Sequence, residues 1–207
     1  MNDDAKPEVT NTKRALLGLM GVTAIGSLLV ASQRELRAAP GPRADYFPNS
    51  VVYDHNGHKL RFYDDVVRGK VLAFNMMYTA CAGICPRSTA NLKTVQGALA
   101  GHVGKEIFMY SMTLRPELDS PKELRAYMDL YEIPTDKGWT FLTGKPAEMD
   151  LIRRKLGFYN SDPVRDADIS QHTGMVRMGN EALDRWTMSP AMGSHKQIAR
   201  ELLHLRA

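Results

Sequence analysis

Apolar residues after position 48 fall into runs that predict alternating strands and helices. Val71–Met77 is almost continuously apolar, as expected for a strand that is covered on both faces of a sheet. Between it and a second predicted strand at Ile107–Thr113, apolar side chains recur with helical spacing from Pro86 to Leu99. A right-handed crossover through this helix would make the two strands parallel neighbours.

Turn and capping signals predict further elements. They are a hairpin over residues 51–63 that turns at 56–57, a helix at 120–131, a strand at 139–142, a helix at 146–156, a hairpin of residues 175–178 and 183–188 that turns at 179–180, and a helix at 194–205. Strands that alternate with helices predict an α/β fold with a central mixed sheet flanked by helices. The order of elements is typical of a thioredoxin-like fold, here with an N-terminal hairpin and a C-terminal hairpin plus helix.

The segment before this domain has a different pattern. Residues 1–14 are polar, residues 15–33 are uncharged and mostly apolar, and residues 34–48 include a short stiff linker rich in alanine and proline. The apolar segment is just long enough for one membrane span, and a secretory signal peptide has a similar pattern. We therefore expect a domain at 49–207 that lies outside the cytosol, either anchored to the membrane or exported after signal cleavage.

The charge of the chain argues against nucleic acid as a partner. The 207 residues carry a net charge of +4 without a long basic run. A nucleic-acid-binding surface normally shows a basic patch or stripe, and the sequence has none.

The two cysteines of the chain, Cys81 and Cys85, lie where the strand at Val71–Met77 gives way to a helix. Unpaired backbone N–H groups and the helix dipole at such a turn lower the pKa of a thiol and favour the thiolate. Two thiolates with one imidazole, here that of His172, suit copper as Cu(I) or Cu(II). The same pair can instead cycle between dithiol and disulfide. A static disulfide and two thiols that merely pack in the core are the structural alternatives.

Two other groups of residues are expected to have structural roles. Asp119 precedes the capping box of the helix at 120–131 and should shape the turn there. Four methionines lie inside predicted strands and should pack in the core, namely Met76, Met77, Met109 and Met112.

Four sequence blocks follow one another in a set order. The first block is Gly69-Lys70 with Phe74, Tyr78-Thr79 and Cys81-x-x-x-Cys85-Pro86. The second is residues 111–121 with Leu124 and Tyr127. The third is residues 139–144, and the fourth is His172 before the last hairpin. In this order they resemble the Sco/SenC family of cytochrome oxidase copper-centre assembly proteins. The resemblance implies a membrane-tethered thioredoxin-like domain on the periplasmic face, with residues 1–14 in the cytosol. It also implies that Cys81, Cys85 and His172 bind one copper ion, which passes to an oxidase subunit or another cupro-protein.

Three residues depart from the family's pattern. Many members carry proline and aspartate where this chain has Ala82 and Gly83, and often aspartate where it has Gln171. These changes keep the three candidate ligands and alter the groups around them, which tune metal affinity and redox potential. They motivate an alternative, a thiol–disulfide oxidoreductase that keeps the copper-site cysteines of a partner reduced. In that alternative Cys81 attacks, Cys85 resolves the mixed disulfide, and a thiol reductant restores the pair.

Overall fold

A seven-stranded sheet runs through residues 40–207, the part of the chain that the computed structural model describes. Its strands are β1 (Val51–Asp54), β2 (Lys59–Arg61), β3 (Val71–Met77), β4 (Ile107–Thr113), β5 (Trp139–Gly144), β6 (Met175–Asn180) and β7 (Arg185–Pro190). In space they follow the order β2-β1-β5-β4-β3-β6-β7. The helices of this region are α1 (Ile84–Ala98), α2 (Pro121–Leu130), α3 (Pro146–Lys155), α4 (Pro163–Ala167) and α5 (His195–His204), with a π-helical turn at Phe62–Val67 and a 3₁₀ turn at Ile169–His172.

The predicted segments at 1–14 and 15–33, and the start of the predicted linker, lie outside the described residues. From residue 40 to residue 207, no helix has both the length and the apolar character that a membrane span requires. The end of the predicted linker packs on the domain, because Phe47 is buried in the core and the backbone N–H of Arg43 donates to Glu181 at 3.2 Å.

Three parallel strands, β3, β4 and β5, form the centre of the sheet. The pairing of β3 with β4 runs from Val71 opposite Ile107 to Met77 opposite Thr113, so that both strands end side by side. β6 and β1 flank the parallel strands in antiparallel orientation. This topology confirms the predicted mixed α/β sheet and the parallel pairing of its two most apolar strands.

Two hydrophobic layers enclose the sheet. Every residue of β3 is buried. Ala73 and Met77 face the layer that contains side chains of α1 and α5, and Phe74 and Met76 face the layer that contains side chains of α3. Burial on both faces explains why β3 is apolar at every position except Asn75, whose side chain accepts a hydrogen bond from Ser111.

The first hairpin turns where the sequence predicts, but its second strand is shorter. Residues 55–58 join β1 to β2, and Gly57 takes a positive φ of 83°, which glycine adopts without strain. The prediction of a strand to residue 63 is wrong, because β2 ends at Arg61 and the chain enters the π-helical turn. That turn buries several large apolar side chains in one core layer, which a strand with alternating faces cannot do.

The last hairpin turns later than the sequence predicts. Gly179 and Asn180, the predicted turn, belong to β6, and the chain turns at residues 181–184 instead. A Cβ atom at Gly179 would lie 2.2 Å from a ring carbon of Trp186, so the glycine allows the indole to lie directly over the strand. Glycine followed by asparagine favours a turn, and here the tertiary packing of the indole decides against it.

Candidate thiol and metal site

Cys81 and Cys85 lie at the carboxyl edge of the sheet, where β3 leads into α1. The connecting turn covers residues 78–83, and α1 begins at Ile84, so that Cys85 stands in the first turn of the helix. Both side chains are buried, and both cysteines are free thiols. The predicted strand-to-helix position of the pair is confirmed, whereas the predicted helix start at Pro86 is two residues too late.

The two thiols differ in acidity. Burial, together with the hydrogen bond to Cys81, raises the pKa of Cys85 to about 12. Burial also acts to raise the pKa of Cys81, but hydrogen bonds from the thiol and backbone N–H of Cys85, from the Tyr78 hydroxyl and from the Gly83 N–H outweigh it and lower that pKa below its usual value. Cys81 therefore ionises first, and Cys85 stays protonated and donates to it.

His172 belongs to a loop that contacts the cysteine turn. The residue ends the 3₁₀ turn and is buried. The next residue, Thr173, lies close enough to Cys85 to act on that thiol, where it works to lower the pKa against the larger effect of burial, and its hydroxyl donates to the Ser170 carbonyl at 3.0 Å. The fold therefore brings the backbone of the predicted histidine ligand next to the two predicted cysteine ligands.

The imidazole of His172 points towards α3 and α4. Its Nε2 atom lies 2.9 Å from the carbonyl oxygen of Asp166 and 3.2 Å from Nη1 of Arg153. Within residues 40–207, no group of three or more histidine, cysteine, aspartate or glutamate side chains is arranged to hold a metal ion. The ligand set of Cys81, Cys85 and His172 therefore stays a prediction.

The hydrogen bonds of Arg153 determine which nitrogen of His172 carries the proton. Nη1 of Arg153 donates its two hydrogens to the carbonyl oxygen of Phe158 (2.7 Å) and to Oδ1 of Asp166 (2.9 Å). Nη2 donates to Asp166 and Asp150, and Nε donates to Asp150, so all five guanidinium hydrogens are used. Because no hydrogen is left for Nε2 of His172, Nε2 donates to the Asp166 carbonyl, and Nδ1 keeps a free lone pair.

This protonation state fits a copper ligand. A metal-binding histidine usually donates its other ring N–H to a carbonyl or a carboxylate, which fixes the tautomer and the ring orientation. One imidazole nitrogen and two thiol sulfurs form a donor set of the kind that copper prefers.

The sequence pattern gives no sign of Arg153 or Asp166. Arg153 lies in the last turn of α3 beside Arg154 and Lys155, and basic residues are common there because they complement the helix dipole. The burial of the arginine and its pairing with an aspartate of α4 become visible only in the folded chain.

A buried aspartate fixes the start of the cysteine turn. The Asp119 side chain accepts hydrogen bonds from the backbone N–H of Thr79 (3.1 Å) and from the hydroxyls of Thr79 and Thr113. Thr79 lies just after β3 and Thr113 ends β4, so one carboxylate ties the ends of two strands together. Asp119 was expected to shape only the turn before α2, and in the fold it also holds the cysteine turn.

The fold and the thiol pair define a thioredoxin-like α/β protein with a Cys-x-x-x-Cys turn at the carboxyl edge of its sheet. The SCO1/SenC family model matches residues 43–206, and the chain belongs to this family. Over 78 residues the chain is 32% identical to the SCO1 protein homolog of Bacillus subtilis (strain 168), a stretch that is 38% of this chain and 39% of that protein. The predicted resemblance to the Sco/SenC family is confirmed.

Solved structures confirm the thioredoxin-like fold. ScoI of Bradyrhizobium japonicum with copper bound matches with a TM-score of 0.56 at 21% identity, over 75% of this chain and 96% of that chain. BsSco, a member of the Sco family of cytochrome c oxidase assembly proteins in which a disulfide switch was identified, matches with a TM-score of 0.61 at 19% identity. The second match covers 77% of this chain and 94% of BsSco.

We predict that Asp119→Asn loosens the cysteine turn. Asparagine replaces one of the acceptor oxygens with a donor, and a buried donor left without a partner costs about 1–3 kcal/mol. The free energy of unfolding in urea should fall by about that amount, and the reduced thiols should react faster with a thiol reagent. Asp129→Asn, at an exposed aspartate of α2, is the matched control. Equal stability and equal thiol reaction rates in the two variants would contradict this role of Asp119.

Proposed function

We propose that the chain is a copper-binding assembly factor, a metallochaperone that holds one copper ion through Cys81, Cys85 and His172. It would deliver the ion to a cytochrome oxidase copper centre or to another cupro-protein. The observation that carries the proposal is a histidine with a free Nδ1 in the loop that lies next to Cys85, one of two neighbouring free thiols. Membership of the SCO1/SenC family and the likeness to a ScoI with copper bound support the choice of metal.

Each candidate ligand has its own part in binding this cargo. Cys81 offers a thiolate first, because its pKa is lowered. Cys85 releases its proton as the metal binds, since a coordinating thiol is deprotonated. His172 offers Nδ1 when its loop brings the ring within bonding distance of the two sulfur atoms. Two sulfur donors suit Cu(I), and the imidazole allows Cu(II) as well.

A cavity of about 550 Å³ beside His172 provides an entrance for an acceptor protein. Leu114 and Pro116, just after β4, line one part of it, and Arg153 and Asp166 line another. An acceptor ligand that enters here meets the histidine before the buried thiols. We therefore propose that ligand exchange begins with replacement of His172.

The proposal places the domain outside the cytosol. Residues 15–33 act in it as a membrane anchor or an export signal, as their uncharged apolar character indicates. The copper site then faces the compartment in which the acceptor protein is assembled.

Copper titration of the reduced full-length chain tests the ligand set. We expect one tightly bound copper ion in the wild type and an affinity that falls by at least about tenfold in both Cys81→Ser and His172→Ala, because each variant removes one donor. His102→Ala, which changes an exposed histidine bonded to Glu106, should bind as the wild type does. An unchanged affinity in His172→Ala would refute the three-ligand site.

A second candidate function is thiol–disulfide exchange, and the unequal acidity of the two thiols favours it. The Cys81 thiolate attacks a disulfide of a partner and releases one partner thiolate, leaving a mixed disulfide. Cys85 then loses its proton and attacks the sulfur of Cys81, which releases the second partner thiolate and forms the Cys81–Cys85 disulfide. A thiol reductant returns this disulfide to the dithiol, so the partner gains two electrons per cycle.

Trapping of mixed disulfides tests this second candidate. Cys85→Ser keeps the attacking thiol and removes the resolving one, so it should accumulate a stable mixed disulfide with a small aromatic disulfide. Cys81→Ser should react far more slowly, because Cys85 is buried and its pKa is raised to about 12. Non-reducing electrophoresis and mass spectrometry measure both products. Equal trapping rates in the two variants would argue against the assigned roles.

A further inference from the structure

We infer that Arg153 and Asp166 are positioning residues that hold the imidazole of His172 by its Nε2 edge and fix the tautomer that copper binding at Nδ1 requires. The inference rests on the proposed function, because it concerns the histidine of that site. It assigns a role to an ion pair between α3 and α4 that the fold buries next to the candidate ligand.

The ion pair is anchored in the core through α3. Met149 and Ile152 of this helix are buried in the hydrophobic layer beneath the sheet. Arg153 follows them directly and is only 6% exposed, and Asp166 is 7% exposed. The position of the guanidinium is therefore set by the packing of the helix on the sheet.

The Asp166 side chain links α4 to the buried Arg153 of α3. Its carboxylate accepts two hydrogen bonds from Arg153 (2.9 and 3.0 Å), one contact from Arg154 (2.6 Å) and one hydrogen bond from the backbone N–H of Asn160 (2.8 Å). Because α4 is only five residues long, it has little packing of its own to fix its backbone. Its last turn is held by these contacts.

The Asp166 backbone carbonyl then orients His172. It accepts the hydrogen of Nε2 at 2.9 Å, and because the donors of Arg153 are used by other acceptors, the arginine does not donate to Nε2. The imidazole is thereby held by one edge and keeps its proton on Nε2. Nδ1, on the other edge of the ring, is free of the network and available to a metal ion.

Nuclear magnetic resonance of the ¹⁵N-labelled, copper-free full-length chain tests this role without any metal. We expect His172 to show a slowly exchanging proton on Nε2 and no proton on Nδ1, with the signal assigned by its loss in His172→Gln. In the double variant Arg153→Met with Asp166→Asn, which leaves no unpaired charge between them, the protected Nε2 proton should disappear. The copper dissociation constant should rise by about 10–100-fold, as is typical when a group that orients a metal ligand is lost.

Two further variants separate positioning from general stability. Asp166→Asn alone keeps the size of the side chain and the backbone carbonyl, and it should weaken the Nε2 proton's protection in a chain that still folds. Arg125→Met removes an exposed arginine of α2 that pairs with Asp129 outside this network, and it should leave the His172 spectrum and the copper affinity unchanged.

A wild-type spectrum with the proton on Nδ1 would overturn the inference. The same holds if the double variant keeps the protected Nε2 proton and the wild-type affinity. The copper-free spectrum decides the positioning role even if titration shows that the chain binds no copper, so failure of the proposed function and failure of this inference are distinguishable.

Discussion

The in-register pairing of β3 with β4 is the constraint on which the site depends. Because Met77 lies opposite Thr113, the two strands end at one edge of the sheet, and the residues that follow them are neighbours. Asp119 can therefore accept hydrogen bonds from Thr79 and from Thr113 together. A shift of one residue in this register would turn every side chain of a strand to the opposite face. The position of the cysteine turn thus follows from the packing of the two strands.

Buried charges hold the loops around the thiols. A carboxylate removed from water costs stability unless hydrogen bonds or a cation replace the lost hydration. Hydrogen bonds from Thr79 and Thr113 replace the hydration that Asp119 loses. The ion pair with Arg153 does the same for Asp166, next to His172. Both loops are fixed by carboxylates whose oxygens are hydrogen-bonded. The thiols and Nδ1 of the histidine take no part in these contacts.

Features with a local sequence pattern could be predicted, whereas features that depend on tertiary contacts could not. A nearly continuous apolar run identified β3, because burial on both faces leaves that pattern in a sequence. The thiol pair was visible as a motif at a strand end, whereas a lone histidine in a loop carries little local signal, and the family resemblance gave His172 most of its support as a ligand. The pair of Arg153 and Asp166 joins two separate elements, and the turn at Gly179 was misplaced because Gly179 pairs with Trp186 across the hairpin and lies beneath its indole.

X-ray absorption at the copper edge of the copper-loaded chain tests the central claim most directly. Two thiols and one imidazole are proposed to share a single ion, and in the described residues the two thiols are neighbours and the histidine's loop lies next to Cys85. We expect two sulfur scatterers and one imidazole nitrogen around copper, with the imidazole signal lost in His172→Ala. Coordination by sulfur alone, or an imidazole signal that survives in that variant, would contradict it.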